Sequence, residues 1–210
     1  MTRRFSAAAA ALAAAFFLTS PTAQAQQGGE RRGGPPGDFD FYVLALSWSP
    51  GFCEIEGDRK GRDQCEDGSG LGFVVHGLWP QYTRGFPTEC SPANRSPSRI
   101  ALEAARGVYP DEGLARYQWR KHGTCSGLSP TEYYETVRAA RDKVTIPPAL
   151  VSPRSEQTFT PIELERAFAA ANPGLRTDMM AVACSGGVLG GGRGCIRQDG
   201  GGFPNRPGGG

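Results

Sequence analysis

The chain of 210 residues contains two histidines, and each stands in a dense motif. His76 lies in "FVVHGLWPQY" and His122 in "YQWRKHGTC". Imidazole is the side chain suited to proton transfer near neutral pH, with a reference pKa of about 6.5. Both histidines fall where a predicted element breaks at a glycine, and such ends display reactive groups. The plainer alternative is two unrelated structural histidines. The neighbours argue against it. If residues 112–122 are helical, Gln118 and His122 are i and i+4, and Gln118 and Lys121 are i and i+3. One helix face then carries an amide, an ammonium and an imidazole, with Tyr117 one turn before Lys121. A cation beside a general base suits a reaction that builds negative charge. Trp119 should point away from that face, into the core.

Other chemistries lack their parts. No G-x-S-x-G occurs, so a hydrolase elbow is excluded. "DGSGLG" lacks phosphate-loop spacing. No C-x-x-C occurs, and neither histidine has a partner at zinc spacing, so neither metal nor cofactor is expected. The cysteines are Cys53, Cys65, Cys90, Cys125, Cys184 and Cys195. An even count behind an export signal points to three disulfides, with 15 pairings open. Bridged cysteines leave no thiol nucleophile. RNA brings its own nucleophile, the 2′-hydroxyl. Its cleavage needs a base for that hydroxyl, an acid for the leaving 5′-oxygen and a cation on the phosphoryl oxygens. Two histidines and a lysine match that requirement, and Trp79 offers a flat surface for a base.

The positioning elements can be read along the chain. "MTRR", "AAAAALAAAFFL" and "AQA" compose a secretory signal over residues 1–25, cleaved after Ala25. The apolar run is too short for a membrane anchor. Export to periplasm or medium follows, with no membrane attachment after cleavage and a monomeric product. The whole chain has 23 Lys+Arg against 21 Asp+Glu; removing Arg3 and Arg4 with the leader balances them. A polyanion must therefore be gripped locally. Residues 26–38 read as a flexible leader, 39–199 as the domain and 200–210 as a disordered Gly-rich tail. "FYVLALSWS" and "GFVVHGLW" read as strands, the second ending at Gly77. Helices open at Ser96-Pro97 and Asp111, and at two capping boxes, "SPTE" and "TPIE". "DMMAVACS" and "GCIRQ" read as strands around a Gly-rich turn. The order predicts an α+β fold: a mainly antiparallel central sheet flanked by helices, stabilised by disulfides.

On "FVVHGLWPQY", "WRKHGTC" and the upstream "LALSWSPGFC", the sequence resembles the ribonuclease T2 family of secreted endoribonucleases. The resemblance spans about the whole mature domain. It implies metal-free RNA cleavage of low base specificity, through a 2′,3′-cyclic phosphate to a 3′-phosphate. It makes His122 the general base, His76 the general acid and Lys121 the stabiliser of the phosphorane. Trp79 would lie against a base, with Gln81, Tyr82 and Tyr117 as further substrate-binding candidates. It also suggests Cys53–Cys65, Cys90–Cys125 and Cys184–Cys195, the middle bridge tying the two halves of the site together. The chain departs from the family where the second segment usually begins His-Glu and here reads Tyr117-Gln118. Gln118 keeps the size of the glutamate and can donate a hydrogen bond, but carries neither proton nor charge. The alternative reading is therefore a weakly active or inactive ribonuclease-like protein that binds RNA or a partner.

Overall fold

The computed structural model describes residues 29–55, 63–66, 68–151, 158–185 and 188–197. The expected signal and tail lie outside them. Its strands are β1 (Glu30–Arg32), β2 (Phe41–Trp48), β3 (Phe73–Gln81), β4 (Phe86–Thr88), β5 (Met180–Ser185) and β6 (Val188–Arg197). Its helices are α1 (Ser49–Ile55), α2 (Arg99–Ala105), α3 (Glu112–Lys121), α4 (Pro130–Asp142) and α5 (Pro161–Ala171). Four strands form an antiparallel sheet in the order β3-β2-β6-β5. The α+β architecture is thus as read from the sequence.

Alternation along β2 and β3 divides the sheet into a buried and a half-open face. Tyr42, Leu44, Leu46 and Trp48 of β2 and Phe73, Val75 and Leu78 of β3 are buried. Helices α2, α4 and α5 close over them with Leu102, Val137, Leu164 and Phe168 in one cluster. Trp119 is in that cluster at 2 % exposure, its indole N–H donating to the Asn94 carbonyl at 2.6 Å. Both capping boxes form: Ser129 with Glu132 opens α4, and Thr160 with Glu163 opens α5. Two tyrosines of α4 fasten the site-bearing elements to this core. Tyr133 donates to the Leu78 carbonyl at 2.8 Å and Tyr134 to the Ala115 carbonyl at 2.9 Å.

The structure differs from the sequence reading in five places. The stretch expected as a flexible leader contributes β1, which pairs in parallel with β4. Thr88 donates to Glu30 at 2.8 Å, and Arg32 pairs with Glu89 at 2.9 Å. Those contacts are long-range, so the Gly- and Pro-rich composition around them conceals them. Strand β3 runs through Gly77 to Gln81, because β2 pairs with it along its whole length. The second helix starts two residues beyond Pro97, capped by Ser98, whose hydroxyl accepts from the Ala101 N–H. Glycines expected in the last turn lie within β6. Gly191 is fully in contact with β2, where a Cβ would overlap the Leu46 carbonyl.

The fifth difference concerns the disulfides. Cys53–Cys65 and Cys90–Cys125 are formed. The Cys184–Cys195 bridge is not, and Cys184 is free and exposed. The register explains why: Cys184 pairs with Leu189, while Cys195 lies opposite Val43, six residues further along β6. At roughly 3.3 Å per residue the two Cα atoms are far beyond the roughly 7 Å limit for a bridge.

Candidate active site

One wall of the site comes from β3. Ala45 pairs with Gly77 and Leu46 with Val75, so His76 is the extra residue of a β-bulge. A bulge shifts the side-chain alternation by one and re-aims the residues beyond it. His76, Trp79 and Gln81 consequently share the half-open face, although 76 and 79 would oppose each other in a regular strand. Ser47 of β2 lies on that face and hydrogen-bonds His76 Nδ1 at 3.0 Å. This directs the other ring nitrogen, Nε2, away from the strand pair.

The other wall is the C-terminal end of α3. His122 caps the helix, with its backbone N–H donating to the Gln118 carbonyl at 2.9 Å. Gln118 and His122 are buried, at 1 % and 5 % exposure. Burial pushes the His122 pKa down to about 3, with the Lys121 ammonium and His76 adding to the effect. The neutral imidazole, the form that can accept a proton, is therefore favoured. Its Nδ1 is buried without a hydrogen-bond partner, which leaves Nε2 as the nitrogen for incoming groups. Gln118 Oε1 accepts from the Trp79 indole N–H at 2.9 Å, while Gln118 Nε2 is buried with no partner.

The walls meet across a cleft of about 530 Å³ that contains His76, Trp79, Gln81, Tyr117, Gln118, Lys121 and His122. Trp79 bridges the histidines. Its ring stacks on His122 at 5.2 Å and 26°, and meets His76 edge-on at 5.8 Å. Tyr117 is 40 % exposed at the rim, with Arg120 5.5 Å and Lys121 6.0 Å from its ring centre. Two further links tie the end of α3 to the segment after β4. The Cys90–Cys125 bridge joins the segment after β4 to the turn after His122. The Glu89 N–H donates to the Lys121 carbonyl at 2.9 Å, from a left-handed residue at φ 50°. Among the described residues no cluster of His, Cys, Asp or Glu could hold a metal ion.

The sequence profile of the Ribonuclease T2 family matches residues 39–188. The chain belongs to that family. It is 47 % identical over 110 residues to "Ribonuclease" of Aeromonas hydrophila, covering 52 % of this chain and 48 % of that one. It is 36 % identical over 140 residues to Ribonuclease I of Escherichia coli, covering 48 % and 52 %. The chain thus spans about half the length of the relatives it matches. Two solved structures share the fold. RNase NT in complex with 5′-AMP aligns with TM-score 0.60 at 20 % identity, over 82 % of this chain and 96 % of that one. Trichomaglin, described as an S-like ribonuclease, aligns with TM-score 0.63 at 22 % identity, over 77 % and 89 %.

Within this T2-family site, seven of the eight expected residues, His76, Trp79, Gln81, Tyr117, Gln118, Lys121 and His122, line the cleft, and the Gln81 amide donates to the Pro80 carbonyl at 3.1 Å. Tyr82 is an exception to the sequence reading: it is not in the cleft. It lies one residue past β3, its hydroxyl donating to Asp38 at 3.5 Å and its ring lying 5.5 Å from Arg31. Several cleft residues were not anticipated. Ser47, which holds His76 without lining the cleft, was also missed, and its signal is a lone hydroxyl on the half-open face of an apolar strand. Val43, Phe86, Asp178, Met179, Met180 and Ala181 complete the lining. The last four come from a segment 56 residues after His122 and 102 after His76, and nothing local marks them.

Proposed function

We propose that this chain is an exported, metal-independent endoribonuclease that cleaves single-stranded RNA with low base specificity. The observation that carries the proposal is the pair of imidazoles facing one cleft, with Lys121 and the Gln118 amide beside them. In the first step His122 Nε2 takes the proton of the ribose 2′-hydroxyl. The freed oxygen attacks phosphorus, and the P–O5′ bond breaks. His76 Nε2 gives its proton to the departing 5′-oxygen, and Ser47 accepts the remaining Nδ1–H while the ring is cationic. Atoms balance as a 2′,3′-cyclic phosphate and a free 5′-hydroxyl. Lys121 and the Gln118 NH₂ meet the charge that builds on the phosphoryl oxygens. In the second step water opens the cyclic ester to a 3′-phosphate, and the two histidines exchange roles.

Burial lowers the His122 pKa and so favours the neutral ring, the form in which a base must start. The Ala-rich leader and the two bridges support export, and no described helix is long and apolar enough to cross a membrane. The disulfide-bonded protein, incubated with poly-uridylate in EDTA, should yield cyclic-phosphate ends. An absence of cleavage between pH 4 and 8 would sink the proposal. His76→Ala and His122→Ala should each lower turnover by about a hundredfold or more.

A second reading has its own observation, the amide at 118 where the family usually carries a carboxylate. It makes the chain an RNA- or partner-binding protein with little activity. A near-silent wild type that gains strongly from Gln118→Glu would favour it, and an active wild type rejects it.

A further inference from the structure

We infer that Trp79 acts as a positioning residue: its indole N–H locks the Gln118 amide so that only the NH₂ end faces the cleft. Position 118 thereby becomes a fixed donor to an anionic phosphoryl oxygen. The inference deepens the ribonuclease reading and rests on it. A side-chain amide has an acceptor end and a donor end of nearly the same shape, and either can face a ligand. The indole N–H removes that choice, because it donates only. Trp79 Nε1 lies 2.9 Å from Gln118 Oε1. A flipped amide would set N–H against N–H and strand two buried donors.

Gly77 gives this contact its room. A Cβ at 77 would overlap both Gln118 Oε1 and Trp79 Nε1. The bulge that makes His76 the extra residue also brings Trp79 onto the cleft face. The amide is thus held from the β3 side, and its remaining donor is buried at the cleft wall with no partner. An unpaired buried donor is costly, and the cost is recovered when an acceptor arrives. Lys121 and His122, on the same wall, suit an acceptor that is a phosphate oxygen. The indole face is also engaged, stacked on His122 at 5.2 Å. Trp79 therefore fixes the amide and the imidazole plane together, which a free platform for a base would not do.

The test is a double-mutant cycle on the disulfide-bonded full chain, with uridylyl-3′,5′-adenosine as substrate. Trp79→Phe keeps an aromatic ring and removes the N–H. Gln118→Leu removes the donor. Trp79→Phe should lower kcat about tenfold with KM within twofold, and Gln118→Leu should lower it about a hundredfold. The double variant should be no slower than Gln118→Leu. Multiplying effects, or a Trp79→Phe loss confined to KM, would overturn the inference and leave Trp79 as a base platform. Should Trp79→Phe not fold, Trp79→Met, which also lacks a donor, takes its place with the same expectations. Binding of inorganic phosphate, read as a rise in Tm, separates the two proposals. An inactive wild type whose phosphate binding is weakened by both variants without multiplication ends the ribonuclease reading and keeps the clamp. Phosphate binding unchanged in both single variants ends the clamp.

Discussion

His122 should make this protein lose stability in acid by an amount that can be calculated. The group has an unfolded pKa of about 6.5 and a folded value of about 3. Below pH 6.5 the unfolded chain binds a proton that the folded chain does not. Stability therefore falls as pH falls, by about 1.4 kcal/mol per unit, until the folded value is reached. At pH 4.5 the loss from this one group is about 3 kcal/mol relative to pH 7.5. That figure depends little on the folded value, provided it lies well below 4.5. The discount for solvent screening is small, because the side chain is 5 % exposed. The perturbation is His122→Gln, which does not titrate. It will lower stability at every pH by disturbing the cleft, so the quantity that counts is the change with pH. Urea unfolding of wild type and variant, both disulfide-bonded, at pH 7.5 and 4.5 gives that change for each. The wild type should lose about 3 kcal/mol more than the variant between the two. Equal losses would show that the imidazole is not desolvated, and would remove the support for His122 as a base that starts from the neutral ring.

Ser47→Ala removes the partner of His76 Nδ1. It should lower kcat about five- to tenfold with KM little changed, and Ser47→Thr should restore most of the loss. Gly77→Ala places a methyl against Gln118 Oε1 and Trp79 Nε1. Thermal unfolding should register a loss of about 1–3 kcal/mol, and kcat should fall at temperatures where the variant remains folded. Replacing Cys90 and Cys125 together by Ser opens a loop of 35 residues and should cost roughly 4 kcal/mol in urea unfolding. Turnover should fall in the folded fraction too, since the bridge also holds the segment after β4 against the turn after His122.

What could be read from the sequence was what local rules write. The capping boxes at Ser129 and Thr160 formed as read, because their donors and acceptors lie within four residues. Helical spacing alone brought Gln118, Lys121 and His122 to one cleft wall. The failures share a cause, which is pairing between distant segments. Leader residues Glu30–Arg32 are held by Thr88 and Glu89. Cys184 is kept from Cys195 by the register of β5 on β6, where glycines supply few side chains to fix a register. Gly77 is the most instructive case. Local rules read it as the residue that stops a strand. Paired with β2, it continues the strand and marks a bulge. The bulge turns His76 into the cleft, and the missing side chain admits the Gln118 amide against Trp79. The residue type was the right signal, but its meaning depended on a partner strand about thirty residues earlier. A glycine between two cleft-facing residues at odd spacing in a strand is therefore better read as a bulge than as an end.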